Sequence, residues 1–187
     1  VVIIKPIAIP FKELLEEFEQ GDIESLLNSF QCARECFIED FVQNKCIQSE
    51  TMGDTKSYFI LDQDDNGLRV LGYYALTLRV IHLAEISGKK AKKLHQKEKT
   101  DLHIPTYYIA ILAKNDLYRE VIDGSSILES ALTTIQDAAN KVGGRVVWVE
   151  AKKEHAGVID FYQKNGFTEF QVEEQHDGLY SHLLKTV

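Results

Sequence analysis

Tyr107 to Ala113 is a nearly unbroken apolar run. It is followed by a helical stretch from Ser125 to Lys141 and then by a second apolar run, Arg145-Val-Val-Trp-Val-Glu150. A strand without polar alternation is buried on both faces, as the inner strands of a parallel pair are. Between the two runs, Ile127, Leu128, Ala131, Leu132, Ile135, Ala138 and Ala139 recur at the spacing of one helical face. Gly143-Gly144 then supplies a stop. A strand, a helix and a strand joined by short links imply a parallel pair with a right-handed crossover. A second helix, His155 to Asn165, ends at Gly166.

The flanking segments read as hairpins. Ser57–Leu61 and Leu68–Val80 enclose the turn Asp62-Gln-Asp-Asp-Asn-Gly67, where Asn-Gly favours positive φ. Phe167–Val172 and Gly178–Leu184 enclose His176-Asp-Gly178. Ahead of them, Ile3 to Ile9 is strand-like, broken by Pro6 and Pro10, and Phe11 to Phe18 has helical spacing until Gly21 interrupts. Ile23 to Asn44 predicts one or two helices carrying Phe30, Ala33, Phe37 and Phe41 on one face. His82 to His103 is a Lys-rich connector with a short helix at Ser87 to Leu94, ended by Pro105. The expected class is α+β, an α/β/α three-layer arrangement around a mixed, mostly antiparallel sheet with one parallel pair. A single domain spans 1–187, with a helical N-terminal part over about 10–50.

Several functions are set aside by composition. No apolar run approaches the roughly 18 residues of a membrane helix. Val1-Val-Ile-Ile4 is too short for a signal peptide and lacks a basic flank. Three cysteines make no disulfide framework. Cys32 and Cys36, one helical turn apart, read as buried small apolar residues, not as a metal or redox pair. A cytoplasmic protein with no metal site is the expectation. Net charge is −8, and residues 1–70 carry 14 acidic against 6 basic side chains, so the whole chain lacks the charge of a nucleic-acid binder. One basic segment, Lys89 to Lys99, keeps an RNA contact open.

Two places can carry chemistry. The helix after the first apolar run opens on Gly124-Ser125-Ser126, where free N–H groups and the helix dipole attract an anion and Gly124 admits close approach. An ordinary capped helix gives the same letters. The second place is Phe161-Tyr162, on the helix ahead of Gly166. Phe161 reads as packing, whereas a buried Tyr162 hydroxyl needs a partner and could protonate a departing thiolate.

Taken together, Arg119-Glu-Val-Ile-Asp-Gly124 and Phe161-Tyr-Gln-Lys-Asn-Gly-Phe167 resemble the GNAT acetyltransferase superfamily over roughly residues 56–185. The family's phosphate pattern, Arg/Gln-x-x-Gly-x-Gly/Ala, is met at Arg119 and Gly124, while Ile122 replaces its middle glycine. The resemblance implies acetyl-CoA as acyl donor. Leu112 and Ala113 would pair with the pantetheine arm, and the backbone of Arg119, Ile122, Asp123 and Gly124 would hold the pyrophosphate with Ser125. Asp123 would turn its carboxylate away. Phe161 and His155, the latter where many relatives carry Asn, would flank the site, and Tyr162 would be the general acid. The implied reaction is direct acetyl transfer to the primary amine of a small molecule or peptide. It asks for a general base, for which Glu150 and His103 are the candidates although such residues are more often structural, and Tyr73, Tyr74 and Tyr107 could line the acceptor cleft. The order of segments is also similar to the bacterial toxin-type branch, which acetylates aminoacyl-tRNA beside an antitoxin. The net charge disfavours tRNA, so that branch is the alternative, with a catalytically silent binding module behind it. The sequence leaves a homodimer open.

Overall fold

The computed structural model describes residues 6–64, 67–82 and 103–187. Val1–Lys5, the Asp65-Asn66 turn tip, the expected helix at Ser87–Leu94 and the lysines from Lys89 to Lys99 lie outside the described residues.

The strands are β1 (Ile7–Pro10), β2 (Lys56–Asp64), β3 (Gly67–His82), β4 (His103–Lys114), β5 (Val146–Lys152), β6 (Thr168–Gln175) and β7 (Gly178–Thr186). They follow the order β1-β2-β3-β4-β5-β7-β6. The β4–β5 pair is parallel, and the pairs β1–β2, β2–β3, β5–β7 and β6–β7 are antiparallel. The helices are α1 (Phe11–Glu17), α2 (Gln20–Asn28), α3 (Cys36–Asp40), α4 (Cys46–Met52), α5 (Gly124–Val142) and α6 (Ala156–Lys164). A π-helical turn, Phe41–Lys45, joins α3 to α4. The mixed α+β class is as the sequence predicts, and β4 begins before Pro105, not after it.

The chain falls into two compact units. One comprises Val1–Thr77 with Ala110–Ala131, the other Leu78–Ile109 with Leu132–Val187.

In the first unit, Phe11, Leu14, Ile23, Leu27 and Phe30 of the N-terminal helices pack with Phe59, Leu61, Val70, Tyr73 and Ile111 of the sheet. Gly72 on β3 is required by packing, not by φ: a Cβ there would stand 2.5 Å from Ile127 Cδ1 and 3.2 Å from the Ala113 carbonyl. Buried Glu50 starts β2, its carboxylate accepting from Lys56 Nζ at 2.7 Å and from the Ser57 N–H at 2.8 Å.

Three sequence expectations change here. α1 ends where Phe18 turns extended, and Gly21 lies inside α2. The Ile23–Asn44 stretch is broken after Asn28, with Phe30 buried and Phe37 62% exposed, so the four residues do not share a face. The cause is side-chain competition for backbone N–H groups. Asn115 Oδ1 accepts from Gln31, Glu39 Oε2 from Cys32 and Asp116 Oδ2 from Ala33. The same break leaves Cys32 buried and Cys36 exposed, where both were expected inside. Burial pushes the Cys32 thiol up, and it pushes that of Cys46 up to about 12, so neither is a thiolate at neutral pH.

In the second unit, β5, β7 and β6 form the antiparallel part, with Glu150 directly opposite His182. Val147, Val149 and Ala151 alternate along β5 with Trp148 and Glu150, placing the latter two on the other face.

Candidate functional site

The first candidate region is the loop from β4 to α5. Asn115, fully buried, is its hub. Its Oδ1 accepts from the N–H groups of Gln31 and Leu117, and its Nδ2 donates to the carbonyls of Ser29 and Val70, at 2.8–3.2 Å. A 3-10 turn, Asp116–Tyr118, follows. Arg119 is held by Asp116, with Nε at 2.9 Å, and its carbonyl accepts from Lys114 Nζ. Ile122 is buried, so the residue in the family's glycine position is a packing residue that pins the loop. Asp123 does not turn away from the helix: its Oδ1 accepts from the Ser126 N–H at 2.8 Å and from Ser126 Oγ at 3.2 Å. It is the N-cap of α5. Gly124 and Ser125 then form the first turn. On β4, Ala113 is buried and Leu112 half-buried.

The second region centres on Tyr162. The pattern around it is a Schellman stop. Gly166 takes φ +86°, the Phe167 N–H bonds the Tyr162 carbonyl at 3.0 Å, and the Gly166 N–H bonds that of Gln163 at 3.0 Å. The accompanying apolar contact is Tyr162 against Phe167, ring centroids 5.4 Å apart, with Phe161 at 5.2 Å on another side. Burial pushes the Tyr162 phenol up, so it holds its proton at any physiological pH. His155 stands at the N-terminal boundary of the same helix.

A third grouping lies in the same unit and was not read from sequence beyond Glu150 itself. Tyr108 Oη donates to Glu150 Oε2 at 2.8 Å. His182 Nε2 lies 3.2 Å from Glu150 Oε1 and 3.4 Å from Glu173 Oε2. The Arg79 guanidinium sits 4.4 Å over the Tyr108 ring. Burial pushes Glu150 up, but His182, the Tyr108 hydroxyl and the charge of Arg79 outweigh it and hold the carboxyl below its ordinary value. Burial and the Glu150 charge push the Tyr108 phenol up, and Tyr162 is close enough to add to the effect. The β5–β7 register and the period of two carry this cluster. A reader of the sequence could find the facing pair only after fixing the hairpin register.

Of the expected cleft tyrosines, Tyr73 is buried with its hydroxyl 2.8 Å from Ser57 Oγ, and buried Tyr74 stacks on Tyr58 at 4.8 Å. Tyr107 donates to the Gly143 carbonyl at 2.6 Å. All three are packing residues. Among the described residues no group of three or more metal-ligating side chains occurs, and no helix is long and apolar enough to cross a membrane.

The fold is that of the GNAT acyltransferases. The likeness runs over almost the whole chain to structures of bacterial toxins. A tyrosine-to-phenylalanine mutant of KacT superposes with a TM-score of 0.73 at 17% identity, covering 98% of this chain and 95% of that one. AtaT complexed with acetyl-methionyl-tRNAfMet gives 0.73 at 19%, covering 97% and 95%. AtaTR bound with acetyl-CoA gives 0.68 at 20%, covering 97% and 93%. No family model and no curated protein matches the chain.

Proposed function

We propose that the chain is an acetyl-CoA-dependent N-acetyltransferase and that its acceptor is the α-amine of an aminoacyl-tRNA. The observation that carries the reading is the presence, in one unit, of a buried, protonated Tyr162 and of a Glu150 held ionised, whose partner Tyr108 feels the Tyr162 phenol. An acid for the thiolate and a base for the amine are the two groups that direct acetyl transfer asks for.

The kind of amine follows from the base. A carboxylate whose pKa is held low is a weak base. A lysine-type amine, near 10.4, is neutral about once in 2,500 at pH 7, whereas an α-amine near 8 is neutral about once in ten. Glu150 therefore suits an α-amine. The sequence reading ranked a small-molecule or peptide amine first and tRNA second. The order is reversed here on that chemistry, and on the likeness to AtaT complexed with an acetylated aminoacyl-tRNA.

The residues fit acetyl-CoA in one specific way. A helix start leaves its first N–H groups without intrahelical acceptors. Asp123 takes that of Ser126, so Gly124 and Ser125 are the donors a pyrophosphate would use, together with the loop backbone from Arg119 to Asp123. Leu112 and Ala113 would pair with the pantetheine arm as an added strand, and Phe161, on the Tyr162 helix, and His155, at its start, would also meet the ligand. Acetyl-CoA supplies the activated acetyl group. In the transfer, Glu150 would take the proton that the acceptor amine gives up as its nitrogen replaces sulfur on the acetyl carbon, and Tyr162 would give its proton to the departing sulfur.

The test is transfer of labelled acetyl from acetyl-CoA to bulk aminoacylated tRNA, beside a panel of small amines and peptides. Label in tRNA that is lost with Tyr162→Phe, while calorimetry shows acetyl-CoA still bound, supports the reading. Label in a small amine alone would return the acceptor to the earlier expectation. Growth arrest on overexpression is the matching observation in cells.

A further inference from the structure

His182 has only 3% of its side chain exposed, yet it is an ionisable group facing two carboxylates, Glu150 of β5 and Glu173 of β6. Tyr108 of β4 and Arg79 of β3 reach the same cluster through Glu150 and the Tyr108 ring. Two carboxylate oxygens within 3.4 Å of Nε2 require that nitrogen to carry its proton, since a bare lone pair there would repel both. Neither oxygen is aligned for a linear hydrogen bond, and Nε2 is left without a hydrogen-bond partner, as is Trp148 Nε1. The two rings are neighbours, with centroids 5.1 Å apart, and Phe170 lies 5.9 Å from the imidazole. Buried donors left open in this way call for an explanation beyond packing.

Glu150 has both oxygens committed, Oε2 to the Tyr108 hydroxyl and Oε1 to the imidazole. The carboxylate cannot rotate without losing one contact. Stability is a poor reason for such an arrangement, because burying a carboxylate beside a polar ring gives little net stabilisation over apolar packing. Cross-strand register explains how it is built: Glu150 and His182 are direct partners, and Glu173 is a diagonal neighbour of His182, through its pairing with Tyr180.

We propose that His182 is a positioning residue for acetyl transfer, the electrostatic attraction of its Nε2–H edge, 3.2 Å from Oε1, keeping the Glu150 carboxylate in the orientation that receives the acceptor's proton. The proposal rests on Glu150 serving the acceptor amine. His182 need not touch substrate, and Glu173 completes the clamp from the solvent side.

The experiment compares wild type, His182→Phe, His182→Gln and Glu150→Gln, each first confirmed folded by thermal melt. Transfer from labelled acetyl-CoA to bulk aminoacylated tRNA is followed across pH. The Phe variant keeps the ring and removes the donor, and the Gln variant restores an N–H. His182→Phe is expected to lower kcat about 10- to 100-fold, the scale of a small misplacement of a reacting group. Its KM for acetyl-CoA should be unchanged, the acid limb of its pH profile should move to higher pH, and His182→Gln should recover part of the loss. Independently of activity, the 13C titration of the Glu150 carboxyl should shift upward in His182→Phe. Full kcat and an unmoved acid limb in His182→Phe, with Glu150→Gln inactive, would overturn the role of His182 while leaving that of Glu150. Unchanged turnover in Glu150→Gln would remove the reading beneath it and the proposal with it. Should bulk tRNA accept no label, the carboxyl titration decides, and an unmoved midpoint in His182→Phe sinks the clamp.

Discussion

The Asn115 hub and the Glu150–His182 cluster are both polar and both buried, but they close differently. Every hydrogen-bonding group of the Asn115 amide has a backbone partner, on segments as far apart in sequence as Ser29 and Leu117. In the cluster, a carboxylate and an imidazole meet at 3.2 Å without alignment, and two ring N–H groups stay open. A buried polar group whose capacity is used up by the backbone holds the chain in place. One with capacity in hand, beside a carboxylate kept ionised, is equipped to handle a proton. The contrast is the physical ground on which the proposal gives the first a scaffold role and the second a chemical one.

Four variants would sharpen or break that contrast. Glu150→Gln should cost the most in turnover, about 10²- to 10⁴-fold, with the melting temperature little changed; a large loss of stability with intact turnover would make the cluster a second scaffold. Its effect on acid stability has a fixed sign. Because the folded-state pKa of Glu150 is lowered, the stability it contributes is present above the ordinary carboxylate range and is lost as pH falls through the lower folded value. Glu150→Gln should therefore flatten the acid side of the stability curve, measured by denaturant titration from neutral pH downward.

Asn115→Ala should show the opposite signature, a loss of about 2–4 kcal/mol from stranded backbone groups, seen as a Tm lower by roughly 5–15 °C. A wild-type melt for that variant would empty the hub of its role. Gly72→Val comes next, at about 1–3 kcal/mol, because Ile127 and the Ala113 carbonyl occupy the space its side chain needs. Unaltered urea midpoints would mean Ile127 yields freely. Smallest is Asp123→Asn, which keeps a cap on α5 and removes a charge from the proposed phosphate donors. Acetyl-CoA should bind a few-fold tighter at low salt, with the gain fading as salt is added. Weaker binding would argue that the carboxylate itself contacts the ligand.

How far each region is legible in the sequence follows from how local its contacts are. The strand, helix and strand from His103 to Lys152 are written in their own periodicity, and the stop after Tyr162 is written in seven consecutive residues. The break between Asn28 and Cys36 is not, because Asn115 and Asp116, more than 80 residues on, capture its N–H groups. Reading Phe30 and Phe37 as one face treated that stretch as free to follow its own helical preference. Glu150 was visible as a candidate base, but its ionisation depends on Tyr108 and His182, which only the sheet register brings to it. Asp123 shows a further role that the expectation of a carboxylate kept off an anion does not contain: it is also the acceptor for the helix start.

The stop at Gly166 also sets a length. The Phe167 N–H is tied to the carbonyl of the residue that bears the phenol, so the distance along the chain from Tyr162 to the entry of β6 is a closed loop of fixed size. An inserted or deleted residue there would have to break the knot before it could move the ring. From β7, Lys185 ties in, its Nζ donating to the Asn165 carbonyl at 2.9 Å and lying 5.8 Å over the Phe167 ring. The proposed acid is thus carried on a clasp of mostly local contacts, whereas Glu150 depends on the register of the strands that bring Tyr108 and His182 to it.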